Sequence, residues 1–223
     1  MDDLRAKEIS DKVQDDYNRI AEEFSNHRRG LTADILEFAK FINRGDRILD
    51  VGCGNGRLNE LISEKGALYH GVDNSAGMIA MAQKLHPQAN FSLIQDSILP
   101  FEDETFDKVF SLAVIHHIPS EKLRIDFLLQ IKRVLKKDGV LILTAWDLKN
   151  DKFEKVAGGD KNDIYYDFKN STGKVLAKRY IHIFTQNELR QLAESCGFKI
   201  LKFYQNSRGS KKVNHNLVLI TQK

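Results

Sequence analysis

The stretch Asp50–Gly56, DVGCGNG, decides the reading of this chain. It closes a short β-like run, Arg47 to Val51, and leads into a helical pattern that begins at Leu58. Glycines at 52, 54 and 56 let the backbone turn tightly and approach a ligand with no Cβ in the way. The helix that follows offers free N–H groups and a partial positive charge to a carboxylate. The spacing is GxGxG behind an aspartate, whereas the dinucleotide fingerprint is GxGxxG. Alone, the loop points to a nucleotide-like ligand and no further.

Outward from the loop, strand and helix patterns alternate. Leu68 to Asp73 reads as a strand, Met78 to Leu85 as a helix and Ala89 to Ile94 as a strand. Phe106 to Ile115 reads as a longer strand, Glu121 to Leu135 as a helix and Val140 to Ala145 as a strand, with a turn at Gly139. Such alternation predicts an α/β fold with a doubly wound, mainly parallel sheet. Upstream, Val13, Tyr17, Ile20, Ala21 and Phe24 recur at helical spacing, and Leu31 to Ala39 forms a second helical pattern. Residues 1–45 thus read as a helical cap on a core spanning 46–146. Residues 147–178 break the rhythm with Gly158, Gly159, Asn170 and Gly173, and read as an insertion or lid. Within 179–223, Gln186 to Cys196 is helical and stopped by Gly197. Phe198 to Tyr204 and Leu217 to Thr221 then pair as a C-terminal antiparallel hairpin around RGSKK. The whole, 1–223, reads as one domain.

Composition narrows the classes. At 42% hydrophobic and 29% charged residues the chain reads as soluble and globular. Its 34 basic and 31 acidic residues leave +3, which neither requires nor excludes nucleic acid. Cys53 and Cys196 lack CxxC spacing, so no disulfide framework or cysteine-based metal site is expected. No secretory signal and no apolar run near the ~18 residues of a membrane span is seen, so a cytoplasmic location without membrane contact is expected.

Two acidic residues sharpen the ligand. Asp73 closes the second strand in YHGVDNS, where a carboxylate can accept from both hydroxyls of a ribose. Asp96 follows the third strand in LIQDSILPF, within reach of an adenine amino group. With DVGCGNG these features end three consecutive strands, and the stretch from Arg47 to Trp146 resembles the class I methyltransferases. The resemblance implies a Rossmann-like fold and S-adenosylmethionine as cofactor. It implies that Asp50 orients the cofactor's amino group, with Gly52, Cys53, Gly54, Asn55 and Gly56 around the methionine moiety. Asp73 and Asn74 would hold the ribose and Asp96 the adenine amine, with Ser97 beside the ring. The backbone near Ala113 would face the methionine end.

The methyl acceptor must be read outside that core. His116 and His117 end the predicted fourth strand near the methyl group and are candidate catalytic residues, because histidine exchanges protons near neutral pH. Packing or a backbone hydrogen bond would explain either equally well. YNRIAEEFSNHRRG (17–30), VIHHIPSEKLR (114–124) and KRYIHIFTQNELRQLAESCGF (178–198) are similar to the tRNA wobble-uridine carboxymethyl methyltransferases. That resemblance implies esterification of 5-carboxymethyluridine in the anticodon, tRNA as partner, and a small zinc-binding activator protein as a candidate second partner. A carboxymethyl anion needs a cation, which an arginine supplies bidentately. Arg179 is the first candidate, as a catalytic and substrate-binding residue, and Arg28 the second. Tyr180 and His182 are candidates for contact with base or ribose, although alternation in RYIHIF also sets Tyr180, His182 and Phe184 on one strand face. Basic clusters at Lys132, Arg133, Lys136 and Lys137, and at Arg208, Lys211 and Lys212, are candidates for phosphates, the second more than the first. On the residues alone, a small-molecule methyltransferase and a non-catalytic cofactor-binding scaffold stay open.

Overall fold

In the computed structural model, which describes residues 1–28, 30–95, 98–148, 153–207 and 215–223, the glycine loop leaves the centre of a seven-stranded sheet. The chain opens with α1 (Asp3–His27) and the short α2 (Ala33–Leu36), which continues as a 3-10 helix over Glu37–Phe41. The core follows as β1 (Arg47–Val51), α3 (Leu58–Glu64), β2 (Leu68–Asp73), α4 (Ala76–Leu85) and β3 (Asn90–Leu93). It is completed by β4 (Phe106–Leu112), α5 (Glu121–Val134) and β5 (Leu135–Asp147). Three short strands come next, β6 (Glu154–Lys155), β7 (Asp163–Lys169) and β8 (Val175–His182). The chain closes with α6 (Gln186–Ser195), β9 (Lys199–Ser207) and β10 (His215–Gln222).

The large sheet runs β3-β2-β1-β4-β5-β10-β9. Its first five strands pair in parallel, and β10 is antiparallel to both β5 and β9. This is the Rossmann-like, doubly wound arrangement with its C-terminal hairpin. Helices cover both faces, which is why β1 and β4 carry adjacent apolar residues buried to opposite sides. Leu49 and Val109 pack under α5 and α6 with Ile131 and Leu189. Ile48 and Phe110 point the other way, against Phe38 and Ile62. Removing each such side chain from water stabilises the fold by about 2 kcal/mol.

Polar side chains tie the helices down. Thr185 and Glu188 form a capping box at the start of α6. At its other end, Lys132 Nζ donates to the carbonyls of Cys196 and Gly197. Arg133 donates to the carbonyls of Leu99 and Phe101, and Lys136 pairs with Asp107. These three cations of the first basic cluster are therefore engaged within the fold, whereas the 208–212 loop lies outside the described residues.

The structure corrects the sequence reading in three places. The fourth strand stops at Leu112 and does not reach Ile115, because Ala113 takes φ 62° and its N–H donates to the carbonyl and hydroxyl of Thr144. His116 and His117 consequently lie in a 3-10 turn over Ile115–His117 and not at a strand end. Gly139, read as a turn, falls inside the span of β5, where Asp138 takes φ 62°. Residues 147–178, read as lacking regular elements, contain β6, β7 and the first half of β8, which form a separate antiparallel sheet. β8 runs on from Lys178 into Arg179–His182 without a break. Among the described residues no helix is long and apolar enough to cross a membrane.

Candidate active site

Strand order reverses between β1 and β4, and a crevice opens at their carboxyl ends, where ligands bind in such sheets. There lies a cavity of ≈ 460 Å³ lined by the glycine loop, Asp50, Asp73, Asn74, Ala113 and His117. α1 roofs it. Asn18 Oδ1 accepts from the Ser75 hydroxyl (2.8 Å) and the Gly77 N–H (3.1 Å), and Gln14 donates to the carbonyl of Asn74.

The loop is shaped by contacts that only glycine permits. Gly52 has φ 76°, and a Cβ there would collide with Cγ2 of Val114. The N–H groups of Gly52 and Cys53 both donate to the carbonyl of Val72, and Gly56 turns back onto the carbonyl of Cys53. The Cys53 thiol is buried, and burial pushes it up. Asn55 Nδ2 donates to the carbonyl of Arg28 (3.3 Å), linking the loop to the end of α1. Asp73 receives the N–H of Gly54 on one oxygen and that of Ser75 on the other, both at 2.9 Å.

These residues fit S-adenosylmethionine. Burial pushes Asp50 up to about 7, opposed by the Tyr69 hydroxyl that donates to it at 3.0 Å and by the charge of Arg57. A carboxyl so placed is stabilised as the anion by an incoming ammonium group. Burial also raises Asp73, against the N–H groups of Ser75, Gly54 and Asn74. Each carboxylate oxygen of Asp73 keeps a second lone pair for a ribose hydroxyl. Asp96 and Ser97, expected at the adenine, lie outside the described residues.

At the opposite end of the cavity, proton positions can be assigned from chemistry alone. His117 Nδ1 lies 2.8 Å from the carbonyl of Tyr180, which can only accept, so Nδ1 carries the proton. Its Nε2 is then an acceptor for the Tyr17 hydroxyl (2.9 Å), whose oxygen in turn accepts from Arg179 Nη1 (3.1 Å). Burial, and then the charge of Arg179, hold His117 down at about 3. The ring is neutral and its lone pair is engaged, so in this arrangement it orients Tyr17 and is poorly placed to take up a proton. His116 is fully buried, stacked on Trp146 at 4.9 Å, and accepts the Trp146 N–H; it does not line the cavity.

Arg179 is 3% exposed and sits among aromatic rings. Its guanidinium carbon is 5.3 Å from the centroids of Trp146 and Phe168, 5.7 Å from Tyr166 and 5.8 Å from Tyr17. β7 pairs with β8 in a register that sets Tyr166 directly opposite Arg179, with Phe168 two residues on along the same face. Its partners among the described residues are those rings and the Tyr17 hydroxyl, with no carboxylate among them. Arg28 lines the cavity with its guanidinium over Phe24, its basicity lowered by burial and, after that, by the nearby charge of Arg179. Arg57, which no sequence pattern singled out, is lowered to about 10 by burial and by Arg28.

Tyr180 and His182 occupy the other face of β8 and do not line the cavity. Tyr180 donates to Asp163 (2.6 Å) and receives Arg124 (3.2 Å). His182 bridges Asp163 and Glu188, at 2.6 Å each. Burial opposes charge here, but the hydrogen bonds win: His182 is held above its usual range, Asp163 and Glu188 below theirs. The two residues expected at a base or ribose are thus engaged in a buried network. The structure therefore joins Arg28, Asp50, Gly52, Cys53, Gly54, Asn55, Asp73, Asn74, Ala113 and His117 at one cavity, with Arg179 behind it; Gly56 does not line it and packs against Phe91. Tyr17, Arg57, Trp146, Tyr166 and Phe168 were missed as site residues. Tyr17 was hidden in a helical stripe and the Tyr166–Phe168 pair in a segment read as irregular.

A family model described as a methyltransferase domain matches residues 49–143, which is the glycine loop and the strands that carry the cavity. A protein of Encephalitozoon cuniculi named only as a methyltransferase is 32% identical over 195 residues, covering 83% of this chain and 86% of that protein. The chain belongs to the S-adenosylmethionine-dependent methyltransferases. Within that family it is 27% identical to the tRNA (carboxymethyluridine(34)-5-O)-methyltransferase of Schizosaccharomyces pombe, over 83% of this chain and 88% of that one. A solved methyltransferase of Methanosarcina mazei shares the fold, with a TM-score of 0.70 and 23% identity over 87% of this chain and 98% of that one. S-adenosylmethionine is accordingly the cofactor of this chain, and the cavity described above has the residues to fit it.

Proposed function

We propose that this methyltransferase esterifies the carboxylate of 5-carboxymethyluridine at the tRNA wobble position. The observation that carries the reading is Arg179, a buried cation with aromatic walls and no carboxylate partner among the described residues, set directly behind the cavity-lining Tyr17 and Trp146. An anionic acceptor supplies what that arrangement lacks. The similarity to the S. pombe enzyme supports the same substrate. In this reading the helices of 1–45 and the strands within 147–178 cap the 46–146 core, and their sides meet at Arg28 and Arg179.

The cofactor, when bound, supplies a sulfonium methyl group. Arg179, steadied by Tyr17 and His117, and Arg28 hold the acceptor carboxylate in line with it. With that group bound, a carboxylate oxygen so held would take the methyl group, and the electron pair of the breaking C–S bond would stay on sulfur. No proton moves, since a carboxylate is already ionised at neutral pH. The chemistry then asks for alignment more than for a base, consistent with a neutral, engaged His117. Asp50 and Asp73, held in working geometry, speak against a scaffold without catalysis. The test is labelled S-adenosylmethionine with tRNA bearing 5-carboxymethyluridine. A base-labile methyl ester is expected, and labelling of metabolite extracts in place of tRNA would overturn the assignment.

A further inference from the structure

Beside the cofactor cavity lies a second, smaller pocket of ≈ 210 Å³. The two are adjacent, with Arg28, Arg57, Ala113 and Trp146 among the residues that line both. The far side of the small pocket carries Asp34 and Asn216. Asn216 sits on β10 opposite Trp146 on β5 and is 5% exposed. Its Nδ2 donates to Asp34 Oδ2 at 3.3 Å. A carboxylate can only accept, so this bond fixes the amide with its nitrogen toward Asp34. Oδ1 of Asn216 and Oδ1 of Asp34 are then two buried acceptors, neither with a donor. Buried polar atoms are nearly always paired, and an unpaired one in a pocket wall marks where a ligand's donor belongs. The half-buried guanidinium of Arg57 supplies donors to the same space.

We propose that this pocket takes the uracil ring itself, with Asn216 and Asp34 accepting from its imide N3–H and Arg57 donating to a ring carbonyl. The inference rests on the proposed function and adds the part of the nucleoside that is read. Uracil's edge carries one donor, N3–H, between two carbonyls: the donor suits the two oxygens and one of the carbonyls suits Arg57. RNA bases are generally read in this way, splayed out and hydrogen-bonded along the Watson–Crick edge. The ring's 5-substituent then has the residues that line both pockets to pass, toward Arg28 and the methyl group.

The test compares two anticodon stem-loops, one carrying 5-carboxymethyluridine and one carrying its N3-methylated counterpart, with ester formation from labelled cofactor as readout. The N3-methyl group is expected to lower kcat/KM by at least about tenfold, because a site built to receive a hydrogen bond rejects an analogue that cannot make it. Asn216→Leu should slow the unmodified substrate and narrow the gap between the two stem-loops without closing it, because Asp34 still accepts from N3–H. Equal rates on both stem-loops with the unaltered enzyme would overturn the pocket while leaving the methylation reading intact. No ester from either, with S-adenosylmethionine binding shown by calorimetry, would remove that reading and this inference with it. The comparison on the unaltered enzyme stands whether or not the Asn216 variant folds.

Discussion

Aromatic rings attract the guanidinium of Arg179 through their quadrupoles, but they do not neutralise it. It keeps a full charge that an incoming carboxylate can meet. Arg179→Met should therefore lower kcat/KM on 5-carboxymethyluridine by about 10²–10³-fold, the ~3–4 kcal/mol typical of a buried carboxylate that loses its cation. Arg179→Lys should recover only part of this, because an ammonium lacks the planar fork. Cofactor affinity, measured by calorimetry, should be unchanged in both variants. A parallel loss of cofactor binding would show that Arg179 supports the fold and not the acceptor. Asp50 gives a second prediction at this scale. Held up at about 7 without ligand, it must be ionised to pair with the cofactor's ammonium group. Binding then expels a proton, so affinity should fall as pH drops through about 7. Asp50→Asn should bind weakly at every pH and show no such slope. A flat profile in the unaltered protein would contradict the account.

β8 shows how one element serves two ends. Its alternation sends Arg179 toward the cavity and Tyr180 and His182 toward α5 and α6. The sequence pattern RYIHIF carried that alternation, and Tyr180, His182 and Phe184 do share a face, with His182 and Phe184 rings 4.7 Å apart. What the pattern lacked was the identity of the other partners, since Asp163, Arg124 and Glu188 come from three distant segments. The network they form has a defined pH window. His182, held above its usual ~6.5, contributes stability fully below that value and loses it as pH rises through its folded pKa. Asp163 and Glu188, held below their usual ~4, contribute above that value and lose it as pH falls. The cluster stabilises most between about pH 4.5 and 6.5. His182→Gln should consequently lower the urea midpoint more at about pH 5.5 than at about pH 8.5. An equal or larger gap at the higher pH would mean that the ring is neutral. In the glycine loop, Gly52→Ala forces a Cβ onto Val114 at φ 76° and should abolish cofactor binding even where circular dichroism shows an intact fold.

Across the molecule, the parallel core was legible because burial on both faces calls for adjacent apolar residues, as in Ile48–Leu49 and Val109–Phe110, each 0% exposed. The cap was less so. DIYYDFK mixes acidic and aromatic residues between glycine-rich turns, so β7 pairs with β8 by a register that composition alone does not reveal. That the residues before Gly56 and Asp73 meet at one cavity could be read in advance because they follow strand ends in order. Tyr17, Arg57 and Asn216 could not, because they reach the site from the roof, a helix start and the antiparallel hairpin. Together these parts make a molecule in which the cavity at the strand ends is lined by Arg28 and Arg57 and backed by Arg179 of the cap, the arrangement on which the proposed acceptor rests. The most direct measurement is transfer of labelled methyl from S-adenosylmethionine to tRNA carrying 5-carboxymethyluridine, followed by mild base and nucleoside mass spectrometry. The account predicts label on the carboxymethyl group of the wobble uridine, released by base. Base-stable label elsewhere in the tRNA, or none on tRNA while the cofactor is bound, would contradict it.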